Sequence, residues 1–481
     1  MMNKASRRRS SELVAPRVTC RYHEEPFVKF GCERVHVSPQ VGLSLFGPRH
    51  VELDDLHPVS VRVGMIGTGT TMGLAEQWIE DCSNGVAGDG ANHDFPGYRD
   101  DRGFYSRISM SSNWRAKITR NEIQAIGSLR LLKDRFVASV NLISEKLAYL
   151  TSKDSEPQII VLALPDELLV HCKTVDFNDA EHGAVHRDFR RAIKAEAMRY
   201  RVPTQILLQR TTEATATSKN VDHKSRCAWN FFTGLHYKVA GAPWGPAMES
   251  RGSLFIGVSF YRPIGSNPGI LQTSVAQAFD EHGEGIVLRG NSFEWDDDKD
   301  GKSPHLDEDQ SKALIDNAIQ RYKLETGQTP RRVVIHKSSS YWPDELLGFS
   351  RALSSIREFD LVSLRYNNRV RLLRQANYPV LRGTQFTIGD RTFLYTTGYI
   401  PSMRKFPHGH VPSPLEISEH HGDSSIEEIC QELLALTKLN WNSSFFASAE
   451  PITLKFSRTV GGVMKEMPEG LEPRPQFKYY I

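Results

Sequence analysis

Four basic residues crowd one short stretch of the sequence and could bind an anion together. Arg187, Arg190, Arg191 and Lys194 lie in or next to a helix that we predict over residues 189–200. Arg190 and Lys194 are spaced i and i+4, so they share one face of that helix and can converge on a single anion. A phosphate group suits such a site because it presents several acceptor oxygens to clustered cations. A solvated charged helix face is the commoner origin of any one such run, and both interpretations stay open at this point.

Charge is segregated along the chain although its total is nearly balanced. The 481 residues carry 60 Lys and Arg against 57 Asp and Glu, a net charge of +3. Residues 182–238 hold 11 basic and 4 acidic residues (+7), whereas residues 280–310 hold 11 acidic and 3 basic residues (−8). The near-neutral total therefore excludes a uniformly basic nucleic-acid binder, but it leaves room for a local phosphate-binding region.

Composition and length indicate a globular protein of the cytoplasm with roughly three domains. Hydrophobic residues make up 39% and charged residues 24%, which are globular values. No apolar run approaches the ~18 residues of a membrane helix, and no apolar stretch follows Arg7-Arg8-Arg9, so we expect neither a membrane span nor a signal peptide. The six cysteines are scattered without a Cys-x-x-Cys pair, which favours reduced, buried thiols.

Strands and helices alternate around the basic run, which predicts a parallel α/β architecture. A buried strand at 158–164 precedes the basic helix, Val202-Pro203 ends that helix, and a strand follows at 205–209. Upstream, a strand at 61–66 leads through a glycine turn into a helix at 73–82. The turn departs from the dinucleotide-binding G-x-G-x-x-G pattern, so we interpret it as a plain tight turn.

The same alternation continues towards the C-terminus. Asp307 and Gln310 have the spacing of a helix capping box. The further predicted elements are a helical region at 115–150, strands at 253–262, 332–337, 361–366 and 452–456, helices at 311–326, 342–356 and 426–437, and a hairpin of 384–389 with 392–397.

Several segments, taken in their order and spacing, resemble Argonaute proteins over about residues 130–481. Those that resemble a MID domain are Arg190-x-x-x-Lys194, Pro203-Thr204-Gln205 and Lys238-Val239-Ala240-Gly241. Those that resemble a PIWI domain are Phe255-Ile256-Gly257-Val258, Arg332 to Lys337, Leu436 to Asn442 and Pro451 to Phe456. The resemblance implies an α/β fold: a Rossmann-like MID domain over 131–252 and a ribonuclease H-like PIWI domain over 253–481. An irregular N-terminal α/β segment over 1–130 precedes them.

The resemblance also implies a pocket for the 5′-phosphate of a guide strand. Carried over residue by residue, the pocket consists of Arg190, Lys194, Gln205 and Lys238. In many prokaryotic relatives the C-terminal carboxylate and a divalent cation join it, which implies a role for Ile481 as a Mg²⁺ ligand. Where many relatives have tyrosine this chain has Arg190, and a guanidinium can also stack on a base.

The positions that hold catalytic acids in cutting PIWI domains carry other residues here. Ser259 ends the first strand, Ser338 follows the central strand, and the last position falls near Arg458. Serine hydroxyls are poor ligands for two hard cations, so we expect no catalytic residues and no cleavage by this chain. Glu281 and Glu284 are candidates for a remaining glutamate. The alternative is an active guide-directed nuclease with acids from other positions, and a simpler one is a nucleic-acid binder without a guide.

Two other patterns could bind metals, and we weigh both against plainer explanations. Asp296 to Gly301 with Asp307 fits the spacing of a calcium-binding EF-hand loop, except that aspartate replaces the last glutamate. A solvated acidic loop leading to the Asp307 cap explains that run better. His182 and His186 are spaced i and i+4 but lack the glutamate of a His-Glu-x-x-His zinc site.

The length and the motifs together resemble a short prokaryotic Argonaute, which has MID and PIWI domains without a PAZ domain. Such proteins act as a heterodimer with an APAZ-containing effector protein, commonly a sirtuin-like or TIR NAD hydrolase and sometimes a nuclease. The implied function is a sensor in immunity against plasmids and phages. A guide RNA pairs with target single-stranded DNA, and pairing activates the effector, which depletes NAD and aborts the infection. Oligomerisation after activation stays open.

Overall fold

A computed structural model provides the structure of most of the chain. Its helices are α1 (Pro39–Phe46), α2 (Gly69–Ser83), α3 (Arg120–Ser128), α4 (Leu132–Thr151), α5 (Asp166–Cys172), α6 (Phe189–Ala197), α7 (Gln209–Thr212), α8 (Lys224–Ala240), α9 (Glu308–Thr326), α10 (Pro343–Ala352), α11 (Ile426–Leu436) and α12 (Ile452–Met464). The structure describes residues 17–53, 56–179, 183–215, 218–248, 252–265, 269–278, 285–296, 298–301, 303–366, 369–406, 411–443, 445–468 and 470–481.

Within the described residues, the strands form two large sheets and three small ones. In chain order they are β1 (Val18–Tyr22), β2 (Val28–Lys29), β3 (Val35–His36), β4 (Ser60–Gly67), β5 (Tyr98–Arg99), β6 (Arg102–Gly103), β7 (Arg107–Lys117), β8 (Ile159–Leu164), β9 (Thr174–Asp179), β10 (Gly183–Asp188), β11 (Thr204–Leu208), β12 (Gly245–Pro246), β13 (Ser253–Tyr261), β14 (Ile270–Ala278), β15 (Val287–Glu294), β16 (Arg332–Lys337), β17 (Glu358–Tyr366), β18 (Thr384–Ile388), β19 (Arg391–Leu394) and β20 (Leu415–Gly422).

The first large sheet is the Rossmann-like layer, with the parallel order β11-β8-β4-β7. Its central strand β8 is buried throughout, and successive residues face opposite cores. Ile160 and Leu162 pack with α4 and α6, whereas Val161 packs with α2 and α8. Strands β4 and β7 precede residue 130, so the domain boundary predicted there lies inside one continuous sheet.

The second large sheet is the ribonuclease H-like layer, with nine strands in the order β1-β18-β19-β20-β17-β16-β13-β14-β15. Strands β13, β14 and β15 form an antiparallel meander, and β16 and β17 run parallel to β13. Helices α9 and α10 cover one face, and α12 packs against β13 and β14 on the other. The predicted α/β fold class, a Rossmann-like layer followed by a ribonuclease H-like layer, is therefore confirmed.

The strand predicted at 452–456 is wrong, because these residues begin helix α12. Ile452 and Thr453 are β-branched, which suggested a strand. However, Ile452, Phe456 and Val460 recur at intervals of four and are all buried, which is the periodicity of a helix packed on a sheet. Pro451 occupies the N-cap position of this helix, where a missing amide hydrogen costs nothing.

Other predicted elements differ in extent. The helical region predicted at 115–150 is the end of strand β7 followed by two helices, α3 and α4. The hairpin predicted around Gly389 is confirmed as β18 and β19, and the capping box of Asp307 with Gln310 is present at the start of α9. The antiparallel pair β9–β10 was not predicted, because its short alternation of polar and apolar residues gave no clear strand signal.

Aromatic residues join the two layers. The rings of Tyr237 in α8 and Trp441 stack with centroids 4.9 Å apart. The indole of Trp441 donates to the carbonyl of Trp244 (3.0 Å), and the indole of Trp244 donates to the carbonyl of Lys438 (2.9 Å). This buried contact fixes α8 relative to the C-terminal part of the chain.

Candidate functional site

The basic helix α6 is anchored so that its charged face points away from the core. Asp188 is its N-cap and accepts a hydrogen bond from the backbone N–H of Arg191 (3.0 Å). Phe189 and Ile193 are buried beneath the helix, whereas Arg190 is exposed. Helix periodicity therefore places Arg190 and the half-buried Lys194 on the adjoining face, one turn apart, as predicted.

One of the predicted pocket residues contacts the end of the chain, and two others contact each other. The ammonium of Lys194 donates to the backbone carbonyl of Tyr480 (3.2 Å). The ammonium of Lys238 donates to the side-chain carbonyl oxygen of Gln205. Ile481, which follows Tyr480, is only 3% exposed, so the expected burial of the terminus is present. Helix α6 thus brings one ammonium group to the buried end of the chain, and α8 and β11 bring a second ammonium group and an amide into contact, near enough for the charge of Lys194 to act on Lys238.

Burial disfavours charge on both lysines. Burial, together with the charges of Arg190 and Arg191, lowers the pKa of Lys194 to about 8, although Asp188 opposes this. Burial and the neighbouring charge of Lys194 lower the pKa of Lys238 well below its usual value. A bound anion would therefore stabilise the charged forms of both lysines and raise their pKa values.

Two further residues frame this pocket and were not predicted to have a role. A Cβ atom built on Gly234 would lie 3.5 Å from Oε1 of Gln205 and 3.7 Å from Oδ1 of Asn442. Gly234 lies one turn before Lys238 in α8, and a Cβ at this position would make ordinary van der Waals contact with the Gln205 side chain. A glycine inside a helix costs about 1 kcal/mol relative to alanine, and that unfavourable residue is the sequence signal that could have drawn attention to this position.

A cleft of about 430 Å³ opens near the amino end of α8. Its lining combines cations, aromatic rings and amides, among them Arg226, Arg404, Lys405, Trp229, Phe445 and Asn92. The Arg226 guanidinium lies over the Phe445 ring at 5.2 Å from its centroid. Arg226 is twelve residues before Lys238, so the cleft begins about 18 Å along the helix from the pocket.

Ser259 and Ser338, two of the positions where the resemblance led us to expect catalytic acids to be replaced, lie close together in the ribonuclease H-like sheet. Val258 of β13 pairs with Lys337 of β16, so the next residues, Ser259 within β13 and Ser338 just after β16, lie side by side. Ser259 shares its face of β13 with Gly257, where a Cβ would lie 2.1 Å from the Thr453 carbonyl of α12. Arg458 is exposed on the same helix and forms an ion pair with Glu450.

Within the described ranges, no group of three or more His, Cys, Asp or Glu side chains is placed to hold a metal ion. The candidates Glu281 and Glu284 lie outside those ranges, as does His182. His186 instead pairs with Asp176, with Nδ1 2.7 Å from the carboxylate oxygen.

The acidic loop that resembled a calcium site is occupied by internal contacts. Asp296 pairs with Lys299 at 3.1 Å, and its carboxylate accepts from the backbone N–H of Asp298. Asp307 accepts from the N–H of Gln310 as the cap of α9, so that carboxylate is already used by the helix. Asp297 lies outside the described residues.

A Rossmann-like layer joined to a ribonuclease H-like layer, with the chain terminus buried between them, is the MID–PIWI arrangement of Argonaute proteins. Solved Argonaute structures match it along nearly the whole chain. The structure of Clostridium butyricum Argonaute bound to a guide DNA and a target DNA has a TM-score of 0.67 at 15% identity, covering 96% of this chain and 54% of that one.

Structures from two other organisms also match. A. aeolicus Argonaute has a TM-score of 0.56 at 16% identity, covering 94% of this chain and 54% of that chain. Drosophila Piwi has a TM-score of 0.57 at 12% identity, covering 96% of this chain and 56% of that chain. The chain thus spans about half the length of the Argonaute chains that it matches. No protein-family model and no curated protein matches the sequence.

Among the described helices, none combines the length and the apolar character needed to cross a membrane.

Proposed function

We propose that this chain binds the 5′-phosphate of a guide strand in the pocket of Lys194, Gln205 and Lys238 and uses the strand to recognise a complementary target. The observation that carries the proposal is that the half-buried Lys194, which contacts the carbonyl of Tyr480, lies near enough to the buried Lys238 for their charges to interact. Two like charges in one buried pocket are unfavourable unless an anion joins them, and a terminal phosphate supplies up to two negative charges with several acceptors. Arg190, which is exposed one helical turn before Lys194, would contact the first base or its phosphate.

The path of the strand beyond the first nucleotide is supported by the cleft at Arg226, Trp229 and Phe445. Stacking aromatics and cations are the usual combination for single-stranded nucleic acid. Clostridium butyricum Argonaute, whose fold is similar, was solved with both a guide and a target DNA. We propose an RNA guide and a DNA target, as the sequence resemblance implies.

We further propose that the chain senses its target without cutting it. Ser259 and Ser338 stand side by side where paired carboxylates would be needed to hold two metal ions, and a hydroxyl binds such ions weakly. Enzymatic activity would then belong to a partner, an APAZ-containing effector with a sirtuin-like or TIR NAD-consuming domain, or a nuclease. Because the chain spans about half of an Argonaute, a partner that supplies the remaining surface is consistent with this function.

A Mg²⁺ ion fits the donor chemistry of the phosphate pocket. Mg²⁺ is usually held by one or two carboxylates together with phosphate oxygens and water. The terminal carboxylate of Ile481, one residue beyond the carbonyl that contacts Lys194, would provide the protein ligand. Bound there, the ion would neutralise charge between the carboxylate and the guide phosphate.

The proposal can be tested by purifying the chain from its native host or from a bacterial host. The proposed effector protein is co-expressed with it. We expect short nucleic-acid strands to copurify and to accept a radioactive 5′ label only after phosphatase treatment, because their 5′ ends already carry phosphate. The matched control is a Lys194→Ala, Lys238→Ala variant, which should copurify far less. Copurifying material without 5′-phosphates, or none in the wild type, would contradict the guide-binding function.

The same preparation separates a sensor from a nuclease. A complementary labelled DNA target is incubated with the guide-loaded protein and Mg²⁺ or Mn²⁺. We expect the target to stay intact for the chain alone. Guide-dependent cleavage at a fixed position would instead establish the nuclease alternative.

Guide affinity should also depend on pH in the alkaline range. The pKa of Lys194 is about 8 in the free pocket, and a bound phosphate would raise it. Binding therefore takes up a proton above pH 8, and the preference for a 5′-phosphate over a 5′-hydroxyl should fall as pH rises from about 8 towards 10. Titrations with both strands measure this preference. The Lys194→Arg variant, which stays charged throughout, should lose the alkaline decline; an equal decline in both proteins would exclude Lys194 as its cause.

A further inference from the structure

One buried carboxylate connects the pocket helix to the ribonuclease H-like layer. Glu466, just beyond the end of α12, is 5% exposed. One of its oxygens accepts from the backbone N–H of Asp188 (2.8 Å), and the other accepts from Nε of Arg187 (2.9 Å). Asp188 is the N-cap of α6, so Glu466 holds the residue that starts the pocket helix.

The surrounding contacts make this junction close and rigid. The Arg187 guanidinium lies over the ring of Phe136, 4.7 Å from its centroid, and that ring meets Phe189 edge-on. A Cβ atom on Gly462 in α12 would lie 3.1 Å from the guanidinium carbon of Arg191, so α6 and α12 approach each other here. Removing the Glu466 carboxylate would leave a partly buried guanidinium and a backbone N–H without their acceptor.

The other end of α12 packs against the sheet near Ser259. The Thr453 hydroxyl lies 2.7 Å from Nδ1 of His336 in β16, and its carbonyl lies over Gly257 of β13. Helix α12 is therefore a single element that contacts the start of the pocket helix at one end and the Ser259 face of the sheet at the other.

We propose that Glu466 is a positioning residue for the 5′-phosphate pocket. Because Glu466 holds Arg187 and Asp188, it fixes where helix α6 begins. The start of α6 in turn determines the position of Lys194, six residues after Asp188, relative to the phosphate. Through α12 the same carboxylate ties the occupied pocket to the ribonuclease H-like sheet. This inference rests on the proposed guide-binding function and deepens it.

The test measures discrimination between two oligonucleotides that differ only in a 5′-phosphate or a 5′-hydroxyl. We expect Glu466→Ala to reduce the wild-type ratio of the two dissociation constants by at least about fivefold. Glu466→Gln keeps an oxygen that accepts from the Asp188 N–H, so its ratio of dissociation constants should lie closer to that of the wild type. Arg187→Gln should have a ratio similar to that of Glu466→Gln. Glu472→Ala, which removes an exposed carboxylate from the same C-terminal segment, is the matched control and should leave the ratio unchanged.

Hydrogen exchange at the amides of residues 188–191 gives an independent readout, and it should accelerate in Glu466→Ala but not in Glu472→Ala. A role confined to stability would lower the melting temperature and leave the phosphate ratio of the folded protein intact, which would overturn the proposal. A wild type without any 5′-phosphate preference would overturn both this inference and the proposed function. A wild-type preference that survives in Glu466→Ala would overturn this inference alone.

Discussion

Replacing Lys194 and Gln205 together by alanine is expected to weaken binding of a 5′-phosphorylated guide by more than about tenfold. Hydrogen bonds to charged groups contribute about 1.5–3 kcal/mol each, and the double variant removes one ammonium and the amide that holds the other. Lys238 now donates to Gln205, so the loss of Gln205 also frees the second ammonium from its present position. The effect should be specific for the phosphate, because neither side chain is needed to bind the bases.

Fluorescence anisotropy with labelled 5′-phosphate and 5′-hydroxyl strands of one sequence measures this effect. The hydroxyl strand should bind the double variant and the wild type with similar affinity. Lys219→Ala removes a charge of the same kind from an exposed loop of the same layer, and it serves as the electrostatic control. Unchanged affinity of the double variant for the phosphorylated strand would refute the pocket assignment.

Only part of the candidate pocket follows from local patterns in the sequence. Lys194 follows Arg190 by one helical turn, so the sequence places both on one helix face, whereas Gln205 and Lys238 were assigned to the pocket by the resemblance to Argonautes. The contact between Lys194 and the Tyr480 carbonyl joins positions 286 residues apart. No local pattern predicts such a contact, and only the resemblance to Argonautes suggested that the chain end would return to the pocket.

The fold was predicted best where burial matches a simple period. Strands β8 and β16 are buried at every residue and were placed within one residue of their observed bounds. Helix α12 was misassigned because the run from Ile452 to Phe456 alternates apolar residues with Thr453 and Lys455, and such alternation is the usual pattern of a strand. Glu466 was missed for another reason: its partners, Arg187 and Asp188, are acquired only by the packing of two layers.

A second large effect is expected at a buried charge cluster that ties the N-terminal segment to the ribonuclease H-like layer. The Glu25 carboxylate accepts from Nε of Arg382 (3.0 Å) and from Nζ of Lys438 (2.8 Å), and both cations are 1% exposed. Burial alone would raise the pKa of Glu25, but the charges and hydrogen bonds of Arg382 and Lys438 outweigh it and lower that pKa. Lys438 also donates to the Val37 carbonyl (2.8 Å), so the cluster holds several chain segments at once.

Glu25→Ala should therefore destabilise the folded chain by about 3–5 kcal/mol, because it leaves two buried cations without a counter-charge. The first transition in a thermal melt should fall on the order of 10 °C. Glu24→Ala, the exposed neighbouring carboxylate, is the matched control and should shift stability by less than about 0.5 kcal/mol. The folded-state pKa of Glu25 is lowered, so its contribution is present above the unfolded value of about 4.5 and is lost as pH falls through the folded value. The difference in melting temperature between wild type and Glu25→Ala should accordingly shrink in acid. Equal melting temperatures of the two proteins at pH 7 would mean that the cluster contributes no net stability.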